Sequence, residues 1–274
     1  MFAAEPACNI MDRAMANNTL GIIGVGDLAT FIVEGLRHGG DHRPILLSPR
    51  NAHRAAALAA RCRATIASDN QAVVDGADIV MVATPPKVTL DAIRSLTFLP
   101  GQRLICVAID IALSDLRGAA PGAVIVRAMP SAAAAICMDS TPICPAEPWA
   151  LAFFATVGTP HGLKDEATFA AATALSVFHL WSFALMDTMV GEAEAAGIPR
   201  ADAVRLVAAL TRSAGALAVA ADPALPVRAP LDLNGKAGTM TATGMSVLEA
   251  ADAFGPWRTA FRTALARARQ VRPA

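Results

Sequence analysis

The sequence predicts an α/β protein in which a doubly wound parallel sheet is followed by an all-helical region. From residue 20 to about residue 126, short β-branched runs alternate with alanine-rich helical stretches, a pattern typical of a parallel sheet wound with helices. After Pro160 the alternation stops, and the remaining pattern is helical. We therefore predict a sheet domain over residues 19–160 and a helical domain over residues 161–274.

The elements of the sheet domain follow from its apolar runs, because continuous apolar runs are typical of strands buried on both faces. We predict strands at residues 20–25, 45–47, 79–83, 104–108 and 124–127. Helices are expected between them at residues 28–37, 50–60 and 88–95. In the second domain, Gly197 fits a helix C-cap and Pro199 fits the first turn of a helix over residues 201–220.

Composition narrows the classes of partner. The chain carries 23 basic and 23 acidic residues and has a pI near 7.0, so it lacks the basic footprint of a nucleic-acid binder. Residues 1–18 mix Glu5, Asp12 and Arg13 into an apolar run and do not resemble a secretory signal. We interpret them as a disordered extension and expect a cytoplasmic protein whose partners are small molecules or another subunit.

The cysteines do not predict a metal site. Cys8, Cys62, Cys106, Cys137 and Cys144 form no CxxC pair, and no histidine lies at zinc-ligand spacing from them. We expect free, mostly buried thiols and no metal.

One apolar stretch, residues 169–186, raises the question of a membrane span. It is about 18 residues long, the lower limit for spanning, and it carries Thr173, Ser176, His179 and Ser182. A helix that is apolar all round and not in lipid must be buried in protein, often inside an oligomer. We favour a buried interface helix over a membrane span.

A dinucleotide motif follows the first predicted strand. Gly24-Val25-Gly26-Asp27-Leu28-Ala29 has the spacing G-x-G-x-x-A and leads into a helical pattern. In such a Rossmann-type turn the first glycine permits the tight turn and the second lets the pyrophosphate approach, while the helix N-terminus faces the phosphate. The alternative is a glycine turn that binds no nucleotide.

The end of the second strand predicts NADP(H) as the cofactor. An acidic residue there would bind the ribose 2′-hydroxyl and repel a 2′-phosphate. This strand instead ends in Ser48-Pro49-Arg50, which offers a hydrogen-bond donor and a cation. Arg50 could instead be a solvated helix-start residue. The chain contains no tyrosine, which excludes dehydrogenases whose acid is a tyrosine beside a lysine.

Several motifs share one order and spacing along residues 20–269. In the first domain they are GIIGVGDLA at Gly21, SPR at Ser48, SDN at Ser68 followed by GADIVMVATPP, CVAIDI at Cys106 and RAMP at Arg127. In the second domain they are TALS at Thr173, AEAAGIPRADAVRL at Ala193 and TMTATGMSVLE at Thr239. Together these motifs resemble the pyrroline-5-carboxylate reductase family, of which the chain would be a divergent member.

The resemblance implies a Rossmann domain that holds NADPH and a helical dimerisation domain that interlocks with a second copy. It places the substrate, a cyclic imine, at the loop before the TMTATG helix. The cofactor residues that it implies are Gly24, Gly26, Asp27, Leu28, Ser48, Arg50, Asn70, Ala83, Thr84, Pro86, Val107 and Ala108. The substrate-binding residues that it implies are Met240, Thr241 and Ser176.

The chain departs from the family pattern around the substrate. Where the family has SGSGPAY, residues 176–182 are SVFHLWS, so the glycines that admit the substrate are absent. Where the family has SPGGTT or SPGGAT, residues 236–241 are KAGTMT. Pro85 replaces a family lysine, and Ser131 replaces the asparagine of its MPN motif. The substrate pocket is therefore expected to differ more than the cofactor site.

Three residues are candidates for catalysis. Imine reduction needs a positioned hydride donor and a group that keeps the nitrogen protonated. Thr241 could bond the substrate, or it could be an N-cap or first-turn residue. Lys236 could be a proton donor or a solvated lysine, and His179 could be a proton donor or a hydrogen-bonded core histidine.

Three functions are compatible with the sequence. The first is NADPH-dependent reduction of an imine other than pyrroline-5-carboxylate. The second is pyrroline-5-carboxylate reduction itself, which the missing SGSGP segment disfavours. The third is a non-catalytic NADP-binding protein that assembles with a partner. All three are compatible with a homodimer or higher homo-oligomer, without nucleic acid or membrane as partners.

Overall fold

A computed structural model describes residues 18–229 and 236–270 of the chain. The predicted N-terminal extension, apart from its last residue, lies outside the described residues. So do residues 230–235, which precede Lys236.

A single mixed sheet dominates the N-terminal part of the described chain. Its strands follow the order β3-β2-β1-β4-β5-β6-β7-β8, with β1 to β6 parallel, β7 antiparallel to β6, and β8 parallel to β7. The strands are β1 (Leu20–Ile23), β2 (Ile45–Leu47), β3 (Thr65–Ile66), β4 (Ile79–Val82), β5 (Arg103–Cys106), β6 (Val124–Ala128), β7 (Asp139–Cys144) and β8 (Gly158–Gly162). The doubly wound parallel sheet predicted from the sequence is confirmed.

Helices connect these strands and then make up the C-terminal part. Those of the sheet region are α1 (Asp27–His38), α2 (Ala52–Cys62), α3 (Asn70–Asp75), α4 (Pro86–Arg94), α5 (Leu113–Ala119) and α6 (Pro148–Phe154). A short 3-10 helix, Ala132–Ile136, precedes β7. The later helices are α7 (Glu166–Ser176), α8 (Phe178–Ala195), α9 (Arg200–Ala220), α10 (Met240–Ala250) and α11 (Gly255–Ala268).

The sheet is covered by apolar side chains on both faces, which is why its central strands are continuous apolar runs. All four residues of β1 and all four of β4 are buried. One face packs against α1, α2 and α6, where Phe153 and Phe154 are fully buried, and the other face packs against α3, α4 and α5. This rigid layer fixes the ends of the parallel strands.

Three strands escaped the sequence prediction for identifiable reasons. β3 has only two residues, and both are exposed. β7 contains Pro142, which cannot donate to a ladder, and β8 has the sequence GTPHG, with three of its five residues exposed. None of the three has the apolar run on which the prediction depended. Because β8 was not predicted, the sheet extends past the predicted domain boundary at Pro160 and ends at Gly162.

The chain divides into two compact units. The sheet unit runs through Thr173 and includes the residues from Ala266 onward, and the helical unit is Ala174–Leu265. This division differs from the predicted boundary at residue 160, because Phe169 is buried within the sheet unit.

The apolar segment 169–186 is not one buried helix. It is divided at Val177 between α7 and α8, next to the point where the ring of His179 bonds the carbonyl of Ser176. Large apolar side chains of α8 are exposed in the single chain. The stretches Glu166–Ala195 and Arg200–Ala220 are long and apolar enough to cross a bilayer, a test that core helices of other proteins also pass.

Candidate functional site

The predicted cofactor residues lie at the carboxyl ends of the parallel strands or start the helices that follow them. The strand order reverses between β1 and β4, and ligands of open α/β sheets bind at such a switch point. Along this edge stand Gly24, Gly26, Asp27 and Leu28 after β1, Ser48 and Arg50 after β2, Asn70 at the start of α3, Ala83, Thr84 and Pro86 after β4, and Val107 and Ala108 after β5. The structure therefore brings all twelve to one edge of the sheet.

Gly24 occupies a position that only glycine can take. Its φ is +96°, in the left-handed region, and a Cβ there would lie 2.7 Å from the carbonyl oxygen of Ala83. Gly26 donates its N–H to the carbonyl of Gly24, 3.1 Å away. The turn therefore packs directly against the end of β4, which leaves no room for a side chain at Gly24.

Gly26 is kept small for a different reason. It precedes α1 in an extended conformation, and a Cβ there would meet no heavy atom of the described residues within 4 Å. No side chain of the described residues caps α1, although Thr30 Oγ1 donates to the Gly26 carbonyl. An uncapped helix N-terminus beside open space suits a phosphate group, so these residues fit the pyrophosphate of a dinucleotide.

Ser48 stabilises the glycine turn. It is 2% exposed, and its hydroxyl oxygen accepts from the N–H of Gly24 at 3.2 Å. Its own N–H donates to the carbonyl of Ile22, so Ser48 links the end of β2 to the end of β1. The hydroxyl group of Ser48 can still donate its hydrogen to the 2′-phosphate, the contact that the sequence predicts.

Two arginines lie beside the end of β2. Arg50 is exposed and makes no hydrogen bond or ion pair with the residues that the structure describes. Asn51 caps α2 by accepting from the N–H of Arg54 at 3.4 Å, and the side chain of Arg54 forms an ion pair with Asp27. Arg54 was not among the predicted residues, and its one signal in the sequence is its place four residues after Arg50.

The other predicted cofactor residues would contact a nucleotide mainly through backbone atoms. Thr84 Oγ1 is 2.8 Å from the hydroxyl of the buried Thr89, and Pro86 begins α4. Val107 and Ala108 are buried, and the N–H of Val107 donates to the carbonyl of Val82. Asn70 is half-buried in the first turn of α3.

A cavity of about 260 Å³ lies in the sheet unit beyond the ends of β5 and β6. The buried Arg127 donates to Glu166 Oε1 at 2.8 Å and stands 4.6 Å above the ring of Phe169. Asp110 has a φ of +62° and pairs with both Nη atoms of Arg267. The cavity therefore presents both signs of charge close to Val107 and Ala108 in the chain, and its charged lining was not predicted from the sequence.

Ser176 and His179 come together at the junction of α7 and α8. His179 Nδ1 lies 2.5 Å from the carbonyl oxygen of Ser176. In the single chain His179 is exposed, so it does not belong to a core formed within one chain.

Lys236, Met240 and Thr241 stand together at the start of α10. Thr239 is the N-cap, since its hydroxyl accepts from the N–H of Ala242 at 3.2 Å. Thr241 is a half-buried first-turn residue and not the cap, while Lys236 and Met240 are exposed.

The described cysteines are free thiols, as the sequence predicts, and Cys8 lies outside the described residues. Burial raises the pKa of Cys106 to about 11, so this thiol is protonated at neutral pH. Burial also raises the pKa values of Cys62 and Cys144. Within residues 18–229 and 236–270, no group of His, Cys, Asp and Glu is placed to hold a metal ion.

Comparison with known families gives a match to the first part of the chain. Residues 19–110 match the family model described as "NADP oxidoreductase coenzyme F420-dependent". This match covers the glycine turn and the ends of β1 to β5. No curated protein matches the sequence significantly.

Comparison with solved structures covers nearly the whole chain. A pyrroline-5-carboxylate reductase from Streptococcus pyogenes shares 22% identity over 92% of this chain and 98% of its own, with a TM-score of 0.79. The Coxiella burnetii enzyme shares 21% over 94% and 100%, with a TM-score of 0.81. A Plasmodium falciparum pyrroline carboxylate reductase with NADP bound shares 17% over 94% and 99%, with a TM-score of 0.79.

These comparisons confirm the resemblance to pyrroline-5-carboxylate reductases. At these identities what they show is a shared fold: the mostly parallel sheet with its helices and the helical region after it. The chain therefore has the fold of an NAD(P)-dependent reductase.

Proposed function

We propose that this protein is an NADPH-dependent reductase that transfers a hydride to the C=N bond of an imine. The observation that carries the cofactor assignment is the turn at Gly24, which presses against β4 and leaves open space at Gly26 before the uncapped N-terminus of α1. The imine is supported by the fold shared with pyrroline-5-carboxylate reductases over more than nine-tenths of the chain. A reductive aminase from Aspergillus terreus in complex with NADPH is a more distant neighbour, with a TM-score of 0.52.

The preference for NADP(H) over NAD(H) rests on the end of β2. The segment Ser48-Pro49-Arg50 contains no carboxylate that would bind a ribose 2′-hydroxyl. The guanidinium of Arg50 has no ion-pair partner among the described residues. The Plasmodium falciparum structure with NADP bound is consistent with this choice.

Positioning accounts for most of the proposed catalysis. NADPH, when bound, supplies the hydride, and the protein must hold the imine against it and keep the nitrogen protonated. Lys236, His179 and Thr241 are our candidates for holding or protonating the imine, with Met240 and Ser176 beside them as substrate contacts. Four of them stand at helix starts or ends of the C-terminal region, and Lys236 lies four residues before α10.

We further propose that the helical unit assembles with a second copy. Exposed leucine, phenylalanine and methionine side chains recur along α8 and α9, and such continuous apolar surface marks an interface. The homodimer, or a higher homo-oligomer, would work in the cytoplasm.

The test is NADPH oxidation by the purified protein against a panel of imines. The panel holds pyrroline-5-carboxylate, bulkier or uncharged cyclic imines, and ketone–amine mixtures that form linear imines. Turnover of any imine supports the proposal, and turnover of pyrroline-5-carboxylate alone would identify the family reaction. Tight NADPH binding with no turnover across the panel would contradict the proposal and favour a non-catalytic NADP-binding protein. The Gly24→Asp variant serves as the control for contaminating reductases.

A further inference from the structure

Two ion pairs join α1 to α2, and they differ in position along the helices. Asp27 pairs with Arg54, and Glu34 pairs with Arg61 at 3.1 Å. Each member of the second pair lies seven residues after its counterpart, which is about 10 Å along an α-helix. The first pair therefore stands at the carboxyl edge of the sheet, beside the proposed cofactor site, and the second stands about two turns away from it.

Asp27 places a negative charge beside the proposed phosphate site. Asp27 is the first residue of α1, directly after Gly26, and its side chain is 74% exposed. Without a cationic partner, this carboxylate would repel a phosphate group at the turn, because like charges repel at such distances. Arg54, 45% exposed, neutralises that carboxylate.

Arg54 also adds a second cation beside the end of β2. Asn51 caps α2 through the N–H of Arg54, which places the Arg54 side chain in the first turn of α2, close in sequence to Arg50. A phosphomonoester carries about −1.5 to −2 charges at neutral pH, so one arginine alone would not balance it. Since Arg54 is partly exposed, its guanidinium is free to exchange one anionic partner for another.

We infer that Arg54 is a specificity-determining residue for NADPH over NADH, and that Asp27 competes with the 2′-phosphate for it. This inference rests on the proposed NADP(H) binding. With NADPH present, Arg54 leaves the carboxylate of Asp27 and joins Arg50 on the 2′-phosphate. With NADH, which has no 2′-phosphate, Arg54 stays on Asp27.

The two residues should act in opposite directions. Arg54→Met removes a charge-assisted hydrogen bond to the 2′-phosphate, and such bonds change affinity by about tenfold or more. We expect the ratio of NADPH to NADH affinity to fall by about tenfold, and Arg54→Lys to restore part of it. Asp27→Asn removes the anion that competes with the 2′-phosphate for Arg54, so it should raise the ratio by about three- to tenfold. The double variant should lose this gain, because the gain acts through Arg54.

The experiment is titration of the full-length protein with NADPH and with NADH, followed by nicotinamide fluorescence, with 2′-AMP and 5′-AMP as competing probes. Arg61→Met is the matched control, because it breaks an ion pair between the same two helices away from the sheet edge. We expect it to leave the affinity ratio unchanged. Substitution of Arg54 should also weaken the binding of 2′-AMP more than the binding of 5′-AMP.

Two results would overturn the inference without contradicting the proposed NADP(H) binding. They are an unchanged affinity ratio in Arg54→Met, whether or not both affinities fall together, and a lower affinity ratio in Asp27→Asn. A wild-type protein that binds neither nucleotide would overturn the proposed function together with this inference. Binding in the wild type therefore separates the two failures.

Discussion

The sheet unit and the helical unit differ in where their apolar side chains lie. In the sheet unit, every residue of β1 and β4 is buried, and helices cover both faces of the sheet. In α8 and α9 of the helical unit, Val190 and Ala203 are the buried residues, while the leucines of both helices and the phenylalanines of α8 are exposed. The sheet unit contains a hydrophobic core of its own, whereas α8 and α9 bury few residues within the single chain.

This difference bears on how each unit works. A helix that is apolar around its circumference must be covered by protein or by lipid. In α9, Asp202, Arg205 and Arg212 interrupt the apolar surface, which favours protein as the cover. This contrast supports the proposals that the sheet unit binds the nucleotide and that the helical unit assembles with a second copy.

The largest effect is expected from Gly24→Asp in the sheet unit. A side chain there would combine the strain of a φ of +96°, the clash with Ala83 and a negative charge beside the phosphate site. We expect NADPH binding to weaken by at least about a thousandfold, measured by fluorescence titration.

The matched control for that variant is Gly40→Asp. Gly40 also has a positive φ, +81°, but a Cβ there meets no heavy atom of the described residues within 4 Å. It should cost about 1–2 kcal/mol of unfolding free energy and leave NADPH affinity unchanged. Equal loss of NADPH binding in both variants would show that the glycine turn has no special role.

The next largest effect tests the helical unit. Leu185→Glu places a charge among the exposed apolar side chains of α8, where the leucine is 53% exposed. If a second copy covers this surface, burying an unpaired charge costs several kcal/mol and should weaken self-association by at least about a hundredfold. Sedimentation velocity over a range of protein concentrations measures this change.

Leu99→Glu is the counterpart in the sheet unit, where Leu99 is 62% exposed in a loop. It should change neither the oligomeric state nor the solubility. If both variants sediment like the wild type, the apolar surface of α8 is not an interface between copies of the chain.

The contrast between the units also explains what the sequence could predict of the fold. The five apolar strands were placed to within one or two residues because burial on both faces makes them continuous apolar runs. For the helical unit, the apolar composition predicted helices and a buried interface helix, whereas His179 is exposed in the single chain. Burial between chains leaves the same pattern in a sequence as burial within one.

The site was predictable where spacing alone determines geometry. The turn at Gly24 and Gly26 follows from G-x-G-x-x-A after a strand, and the structure has it as expected. The ion pair of Arg54 with Asp27 and the left-handed backbone of Asp110 depend on how separate elements pack. No periodicity or motif in one sequence encodes such contacts.

A smaller effect is expected at the proposed substrate residues. Thr241→Ala and Lys236→Ala should each lower turnover by about ten- to a hundredfold, the range of a lost acid or positioning group. NADPH affinity should change by less than about twofold, because both residues lie in the helical unit. Steady-state kinetics on the best imine of the panel, beside NADPH titration, separates the two quantities. Equal loss of turnover and binding would show that these side chains maintain the fold and do not contact the substrate.

Arg50→Ala should reduce the preference for NADPH over NADH by about tenfold, since the loss is that of one charge-assisted hydrogen bond. NADH affinity should stay constant, because Arg50 has no partner among the described residues whose loss would disturb the fold. The measurement is the ratio of the two KM values. An unchanged ratio would make Arg50 a solvated residue and assign the NADP(H) preference elsewhere.

The smallest effect concerns a thiol in the core of the sheet unit. Burial raises the pKa of Cys106 from 9.0 to about 11, so between these values the unfolded chain loses this proton while the folded chain keeps it. The stability that this thiol contributes is complete below pH 9 and is lost as the pH rises toward 11. By pH 10 the loss is about 1 kcal/mol. Urea unfolding at pH 8 and pH 10 should therefore show a steeper decline in the wild type than in Cys106→Ala, which is less stable at both values because of its cavity. Parallel declines would mean that the Cys106 thiol titrates in the folded protein as readily as in the unfolded chain, and that the core of the sheet unit is open to water at this strand.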